Sequence, residues 1–407
     1  MEELRIEKFV AGGFGLARTS RGVALIRGAL PGELVRAELR ERKGYLEGEA
    51  AEVLEAHPGR YQNPLPPTAD LPLEYPYQLA IKQGLVAEAL ERVGKISFAL
   101  SPIEPSPDPL GYRTAAQYAI HPDGGLAYRQ PGSHQLERID EDPLLAAPLQ
   151  KAFEIVKGSG LEALEVTFRG SLLENRTLLG IIGGKPSRLK EKAFSLVEQG
   201  IAGVSWATPS EKGRFRAQTK HLAGAKELLE GFGGVSGSIS LASFSQVNPK
   251  AAGKLYLEAA KLAGGGSRAL ELYAGSGLLS LQLADQFEQV IALDISRDAV
   301  LRGQKDAKRL KKDMVSFHRG DAKQLSNFMP ASLVAVDPPR AGLAAEVIEA
   351  LSEARPGRIL YIACEPASWA RDVKKLTDAG YGLEAARPYD FYPFTHHTEV
   401  LSLLVLR

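Results

Sequence analysis

The single cysteine of this chain, Cys364, stands in Tyr361-Ile362-Ala363-Cys364-Glu365-Pro366, an apolar run that reads as a strand ending just before a helix. A thiol placed there can act as a nucleophile. Strand ends of parallel sheets face the ligand crevice, and the dipole of a following helix favours the thiolate. A lone cysteine elsewhere is usually an inert apolar residue, so its placement carries the argument. Asp337-Pro338-Pro339-Arg340 ends another apolar strand. Its two prolines make a stiff turn that aims Asp337 into the same crevice. Residues 388–400 gather Asp390, His396, His397 and Glu399 just before the last strand. That group offers acid–base chemistry, and as a metal site its spacing matches no common ligand signature.

A second constellation points to a nucleoside. Glu271-Leu272-Tyr273-Ala274-Gly275-Ser276-Gly277 follows an apolar strand and opens a helix, and its glycines let the backbone approach a ligand closely. The six-residue dinucleotide fingerprint is incomplete, because Ser280 stands where its third glycine belongs. Asp294 closes the next strand, where a carboxylate can accept hydrogen bonds from ribose hydroxyls. Asp321, in Arg319-Gly320-Asp321-Ala322, ends the strand after that. Two strand-end acids suit a nucleoside such as that of S-adenosylmethionine; an NAD site or a purely structural turn is the competing reading. Enzymes that methylate exocyclic amines end their Asp-Pro-Pro turn on an aromatic residue. Arg340 stands there instead, which counts against amine chemistry.

The elements that must position these residues are legible from residue 250 onward. Helix 251–263 leads into strand 268–273 and the glycine turn, then helix 278–287, strand 290–296, helix 297–312 and strand 314–322. Strand 332–340, helix 344–354, strand 358–366, helix 367–380 and the terminal strands 381–393 and 399–407 complete the pattern. This alternation predicts an α/β fold, a doubly wound and mostly parallel sheet. An antiparallel pair at the end fits a methyltransferase sheet.

Upstream, residues 2–55 alternate apolar and polar positions, with Gly12, Gly13, Gly15, Gly28 and Gly32 at the breaks. They predict a small β-barrel of the OB-like kind that often holds nucleic acid. Residues 57–76 are proline-rich and read as a connector, and residues 77–93 read as a helix. Strands are expected at 164–170, 177–183 and 203–209 of a central α+β region. The division expected is 1–56, 57–237 and 238–407, with helix 77–93 able to pack on the last part.

Composition narrows the class. The 407 residues carry 50 Lys and Arg against 49 Asp and Glu, so any nucleic-acid surface is local rather than a whole-protein field. Residues 36–43, 212–226 and 302–319 are the basic candidates. One cysteine allows no internal disulfide and no thiolate-rich metal site. No apolar run approaches a membrane span, and the first residues lack a secretory signal; a cytoplasmic location is expected.

Taken together, these blocks resemble the RNA uracil-C5 methyltransferase family, which makes 5-methyluridine in bacterial rRNA and tRNA. The resemblance runs through most of the chain. It includes a barrel that looks like a TRAM domain, Gly111-Tyr112-Arg113 with Gln117, Tyr128 with Ser133-His134, and Phe244-Ser245-Gln246-Val247-Asn248. The glycine turn, Asp337 to Arg340, the Cys-x-Pro segment and His397-x-Glu399 complete it. It implies S-adenosyl-L-methionine as cofactor and RNA as partner, the enzyme acting as a monomer. Gln246, Tyr273, Gly275, Gly277, Asp294, Asp321 and Asp337 would line the cofactor or target pocket. Cys364 would be the nucleophile, Glu399 the base, and Asp337 a catalytic residue beside the nucleophile and the target base.

Two departures stand out. The family usually has Ser-Cys-Asn-Pro where this chain has Ala363-Cys364-Glu365-Pro366. Several relatives hold an iron–sulfur cluster on cysteines before the helix that starts near Tyr77, whereas residues 68–75 here contain none, so no cluster is expected. The barrel and the terminal Phe-Thr-His-His-Thr-Glu favour large-subunit (23S) rRNA over tRNA. Rival readings are a cytosine-C5 RNA methyltransferase, which commonly needs a second cysteine in the Pro-Pro turn, and a non-catalytic RNA-binding protein on the same scaffold.

Overall fold

Along the strands of the carboxyl-terminal sheet, successive apolar residues belong to two different cores. Ala269, Val290, Ala292, Leu333 and Ala335 pack on one face, and Leu270, Ile291, Leu293, Val334 and Val336 on the other. Side chains alternate across a strand, so a sheet covered by helices on both faces requires the near-continuous apolar runs that the sequence displays. The computed structural model describes residues 1–130, 135–210 and 218–407.

The strands of this sheet are numbered β1 (Gly266–Leu272), β2 (Phe287–Asp294), β3 (Val315–Arg319), β4 (Leu333–Val336), β5 (Arg358–Ala363), β6 (Tyr381–Tyr389) and β7 (Glu399–Leu406). Their order is β3-β2-β1-β4-β5-β7-β6. The first five pair in parallel, and β7 runs antiparallel to both β5 and β6. The strand order reverses between β1 and β4, and such a switch point opens a crevice at the carboxyl ends of the strands. Cys364 follows β5, Asp337 follows β4, and Glu399 begins the antiparallel β7, so all three reach the same edge.

Upstream, strands 2–5, 8–10, 14–19, 22–27, 34–42 and 45–55 form one six-stranded sheet. It curls into a small barrel around Leu4, Ile6, Ala24, Ile26 and Val35. Helix α1 (Tyr75–Arg92) starts with Pro76 in its first turn, a position where the missing N–H costs nothing. Its Val86 and Leu90 are buried in the carboxyl-terminal sheet's core with Trp369 and Val373. A central seven-stranded sheet spans residues 115–224 and is covered by α2 (Ala147–Lys157) and α3 (Pro186–Glu198). The expected division at 237/238 falls inside a hairpin, Leu228–Phe232 with Val235–Ile239, whose Phe232 and Val235 pack in the carboxyl-terminal core.

The covering helices of the carboxyl-terminal sheet are α4 (Pro249–Ala263), α5 (Leu278–Leu283), α6 (Arg297–Leu310), α7 (Ala345–Ala354) and α8 (Pro366–Asp378). Several expected boundaries shift, most of all at the end of α5. The helix read over 278–287 stops at Leu283, and β2 starts at Phe287, which pairs with Gly266. An apolar residue that ends one element and one that begins the next look alike in a periodicity count. Among the described residues, no helix is long and apolar enough to cross a membrane.

Candidate active site

The turn after β1 is built on unusual backbone. Tyr273, Gly275 and Gly277 all take positive φ, at 60°, 56° and 71°. The two glycines do different work. A Cβ on Gly275 would meet nothing, so its space is open to a ligand; a Cβ on Gly277 would lie 2.5 Å from the ring of Phe317. Gly277 is therefore a packing residue that lets α5 sit against β3, and it does not line the cavity. Asp294 locks the turn from the next strand. Its Oδ2 accepts the Gly275 N–H at 2.8 Å and its Oδ1 the Ser296 N–H at 2.7 Å.

These residues open onto one cavity of about 930 Å³. Its nucleoside end is lined by Tyr273, Gly275, Asp294 and Ser296, and its reacting end by Asp337, Cys364 and Glu399. Gln246 lines the wall between them, and its buried Oε1 has no protein partner. A buried acceptor left open beside free space calls for a ligand donor. Open room at Gly275, the strand-end acid and that orphaned oxygen together fit a nucleoside cofactor.

Asp321 follows Gly320, whose N–H bonds the Asp294 carbonyl at 3.0 Å, and its charge acts on Tyr273. Its carboxylate accepts the Lys323 N–H at 2.9 Å and caps the 3-10 helix 322–328, while Gln324 returns a bond to the Asp321 N–H. The spacing Asp321-x-x-Gln324 is the reciprocal cap signature, a signal present in the sequence. It stays outside the cavity wall.

Electrostatics set the reacting end apart. Burial pushes the Asp337 carboxyl up to about 7. Burial, and then the neighbouring Asp337, push Glu399 up to about 8 against the pull of Arg340. Burial and the charges of Glu399 and Asp337 push the Cys364 thiol up to about 12, again with Arg340 opposing. Three acids that resist ionisation together form a pocket that favours any incoming positive charge. Glu271, at the floor, is pushed up to about 8, mainly by burial, and accepts the N–H of Ser280 at 2.8 Å.

Three further residues of the motifs read from the sequence lie on the cavity. Phe244 is 83% exposed on the cavity rim. Arg340 stands at the mouth, 3.0 Å from the His397 ring nitrogens. His397 is pushed down to about 4 by burial and by the adjacent His396. It faces the cavity, whereas His396 is held by Asp70, with Nδ1 2.6 Å from Oδ2. No group of three or more His, Cys, Asp or Glu side chains among the described residues is arranged to hold a metal ion.

Several members of the basic runs are paired. Arg36 bridges Glu3 and Glu52, Arg42 meets Glu47, and Arg302 meets Glu227 and Asp298. Lys212, Arg214 and Arg216 of the second run, and Ser133 and His134, lie outside the described residues.

Comparison with known proteins decides the family. Residues 238–333 and 312–407 match the family described as tRNA (Uracil-5-)-methyltransferase. An uncharacterized RNA methyltransferase of Gloeobacter violaceus is 32% identical, over 98% of this chain and 95% of its own length. One from Halalkalibacterium halodurans is 29% identical over 100% and 97%. The chain belongs to the RNA uracil-C5 methyltransferase family. Its fold also superposes on the tRNA (uracil-54, C5)-methyltransferase of Pyrococcus abyssi, solved in complex with S-adenosyl-L-homocysteine, with a TM-score of 0.80 at 23% identity, covering 99% of this chain and 100% of that one. As a uracil-C5 methyltransferase it uses S-adenosyl-L-methionine and acts on RNA.

Proposed function

We propose that this enzyme methylates carbon 5 of a uridine in 23S rRNA through a covalent bond between Cys364 and carbon 6, acting as a cytoplasmic monomer. The observation that carries the reading is the single cavity joining the nucleoside turn at Gly275 and Asp294 to Cys364, Asp337 and Glu399. When bound, S-adenosylmethionine supplies an electrophilic methyl group on a positively charged sulfur.

Carbon 5 of uracil is a weak nucleophile. Addition of the Cys364 sulfur to carbon 6 moves the ring's double-bond electrons onto the carbon 4 oxygen, and the resulting enolate makes carbon 5 nucleophilic. Carbon 5 then takes up the methyl group and briefly carries both methyl and hydrogen. The Glu399 carboxylate removes that hydrogen as a proton, the double bond re-forms, and the carbon 6–sulfur bond breaks to release the thiolate. A base whose pKa is near 8 is well matched to this step at physiological pH. The thiol and both carboxyls gain acidity from any cation in the cavity, so ionisation of Cys364 is favoured only in the loaded site. Asp337 lies beside both groups, in reach to hold the target base or the thiol's proton. The uridine must leave its stack to enter, at a cost of a few kcal/mol, which favours a loop or open strand.

A tRNA target is the second reading, favoured by the description of the matched family and by the Pyrococcus abyssi neighbour. Mapping 5-methyluridine in rRNA and tRNA from cells with and without the gene separates them. Loss of the modification from 23S rRNA supports the first reading, and loss from tRNA alone overturns it.

A further inference from the structure

The residues from Asp390 to Thr398 lead directly into Glu399 and put Tyr392 and His397 in the cavity wall. They form no helix or strand. Their backbone is held by Tyr112 and Asn248, which donate to the Pro393 and Phe391 carbonyls at 3.1 Å each, and from behind by α1 and the connector before it. The Lys82 ammonium, fully buried, donates to Asp390 Oδ1 at 2.5 Å and to the Tyr392 carbonyl at 2.9 Å. One turn earlier, Gln78 Oε1 accepts the Phe394 N–H at 2.6 Å. Asp70 accepts the His396 N–H at 2.7 Å.

The face of α1 that carries Lys82 continues, at spacings of three and four residues, with Leu85 and Ala89. Those two line a small cavity of about 50 Å³ behind Cys364 and Pro366. One helix face thus touches both the segment that delivers Glu399 and the turn that delivers Cys364. A fully buried ion pair is a poor way to gain stability, because apolar residues of similar volume usually do as well or better. What a charge pair supplies and apolar packing does not is direction.

We propose that Lys82 is a positioning residue for the reaction: by holding Asp390 and the Tyr392 carbonyl, it sets the backbone that places Glu399 and Tyr392 against Cys364. This rests on the assignment of Cys364 and Glu399 given above. Misplacement by a fraction of a side chain is enough to cost a large part of the rate.

The test uses three variants of the full chain, Lys82→Met, Asp390→Asn and the apolar pair Lys82→Met/Asp390→Leu. Each is measured for melting temperature, S-adenosylhomocysteine affinity, kcat and KM on RNA, and methyl-labelled protein–RNA adduct. The single changes strand a buried group and lower the melting temperature; the apolar pair restores it. If Lys82 positions the base, the apolar pair keeps wild-type cofactor affinity, loses kcat by on the order of 10²-fold, and accumulates labelled adduct because elimination is the step that needs Glu399. If kcat returns to wild type with the melting temperature, or falls only in step with cofactor affinity across the three variants, the pair is structural and the proposal is overturned. Cys364→Ala measured alongside keeps the two readings apart. A dead alanine variant with a fully active apolar pair removes only the positioning role, whereas turnover in the alanine variant removes the nucleophile itself.

Discussion

Asp294 Oδ2 accepts the Gly275 N–H at 2.8 Å, so the strand-end acid of β2 and the glycine turn of β1 are one rigid unit. With its other oxygen on the Ser296 N–H, the carboxylate uses one lone pair of each oxygen on the protein and leaves the others open for the ribose of the proposed cofactor site. Asp294→Ala then loosens the turn and removes the acceptor together. Loss of a charge-assisted hydrogen bond of this kind is worth about 1.5–3 kcal/mol, so S-adenosylhomocysteine affinity is expected to fall roughly 10- to 150-fold. Titration calorimetry checks this; unchanged affinity sinks the assignment.

Cys364→Ala is expected to remove methyl transfer, by at least on the order of 10³-fold in kcat, and to leave S-adenosylhomocysteine binding intact. The thiol sits at the reacting end of the cavity, away from the turn that Asp294 holds. Substantial residual turnover on RNA would falsify the nucleophile assignment.

Glu399→Gln keeps the size of the side chain and loses its ability to act as a carboxylate base. Since proton removal follows thiolate addition and methyl transfer, the variant should stall with the methylated base still attached to Cys364. A denaturing gel should then show a protein–RNA band carrying label from the cofactor methyl. Wild-type turnover, or dead enzyme without that band, removes Glu399 from the role and makes His397 the next candidate.

Glu399 must be ionised to accept a proton, and burial and Asp337 hold it up at about 8. Where elimination limits the rate, kcat should rise with pH and level off above about pH 8. Stability moves the other way. Glu271, Asp337 and Glu399 keep protons in the folded, ligand-free protein that the unfolded chain gives up near pH 4. Their contribution is complete below that pH and is lost as pH rises through 7 to 8. The melting temperature of the ligand-free enzyme should therefore decline across that window, less steeply in Glu399→Gln. A flat profile in both measurements contradicts the coupled carboxyls.

Much of the catalytic sheet is legible in the sequence because its central strands are buried on both faces and followed by a helix or a turn with its own signature. Asp337, Cys364 and Glu399 fall at strand ends, and the topology alone brings strand ends together. Lys82 is a different case. It pairs with Asp390 across 308 residues, and in the sequence it is one lysine on an amphipathic helix, indistinguishable from a solvated one. Asp321 also caps a 3-10 helix, a second role that only Gln324 three residues on gives away. The roles of Gly275 and Gly277 separate only when the ring of Phe317 is seen beneath the second.

The half-buried thiol between two carboxyls has a further consequence for the resting enzyme. Peroxide and other oxidants attack the thiolate, not the thiol. With burial and its acidic neighbours pushing Cys364 up to about 12, the idle protein exposes almost no thiolate to them. For the nucleophile proposed above, the same burial that makes ionisation costly also shields the sulfur from sulfenic acid formation between turnovers.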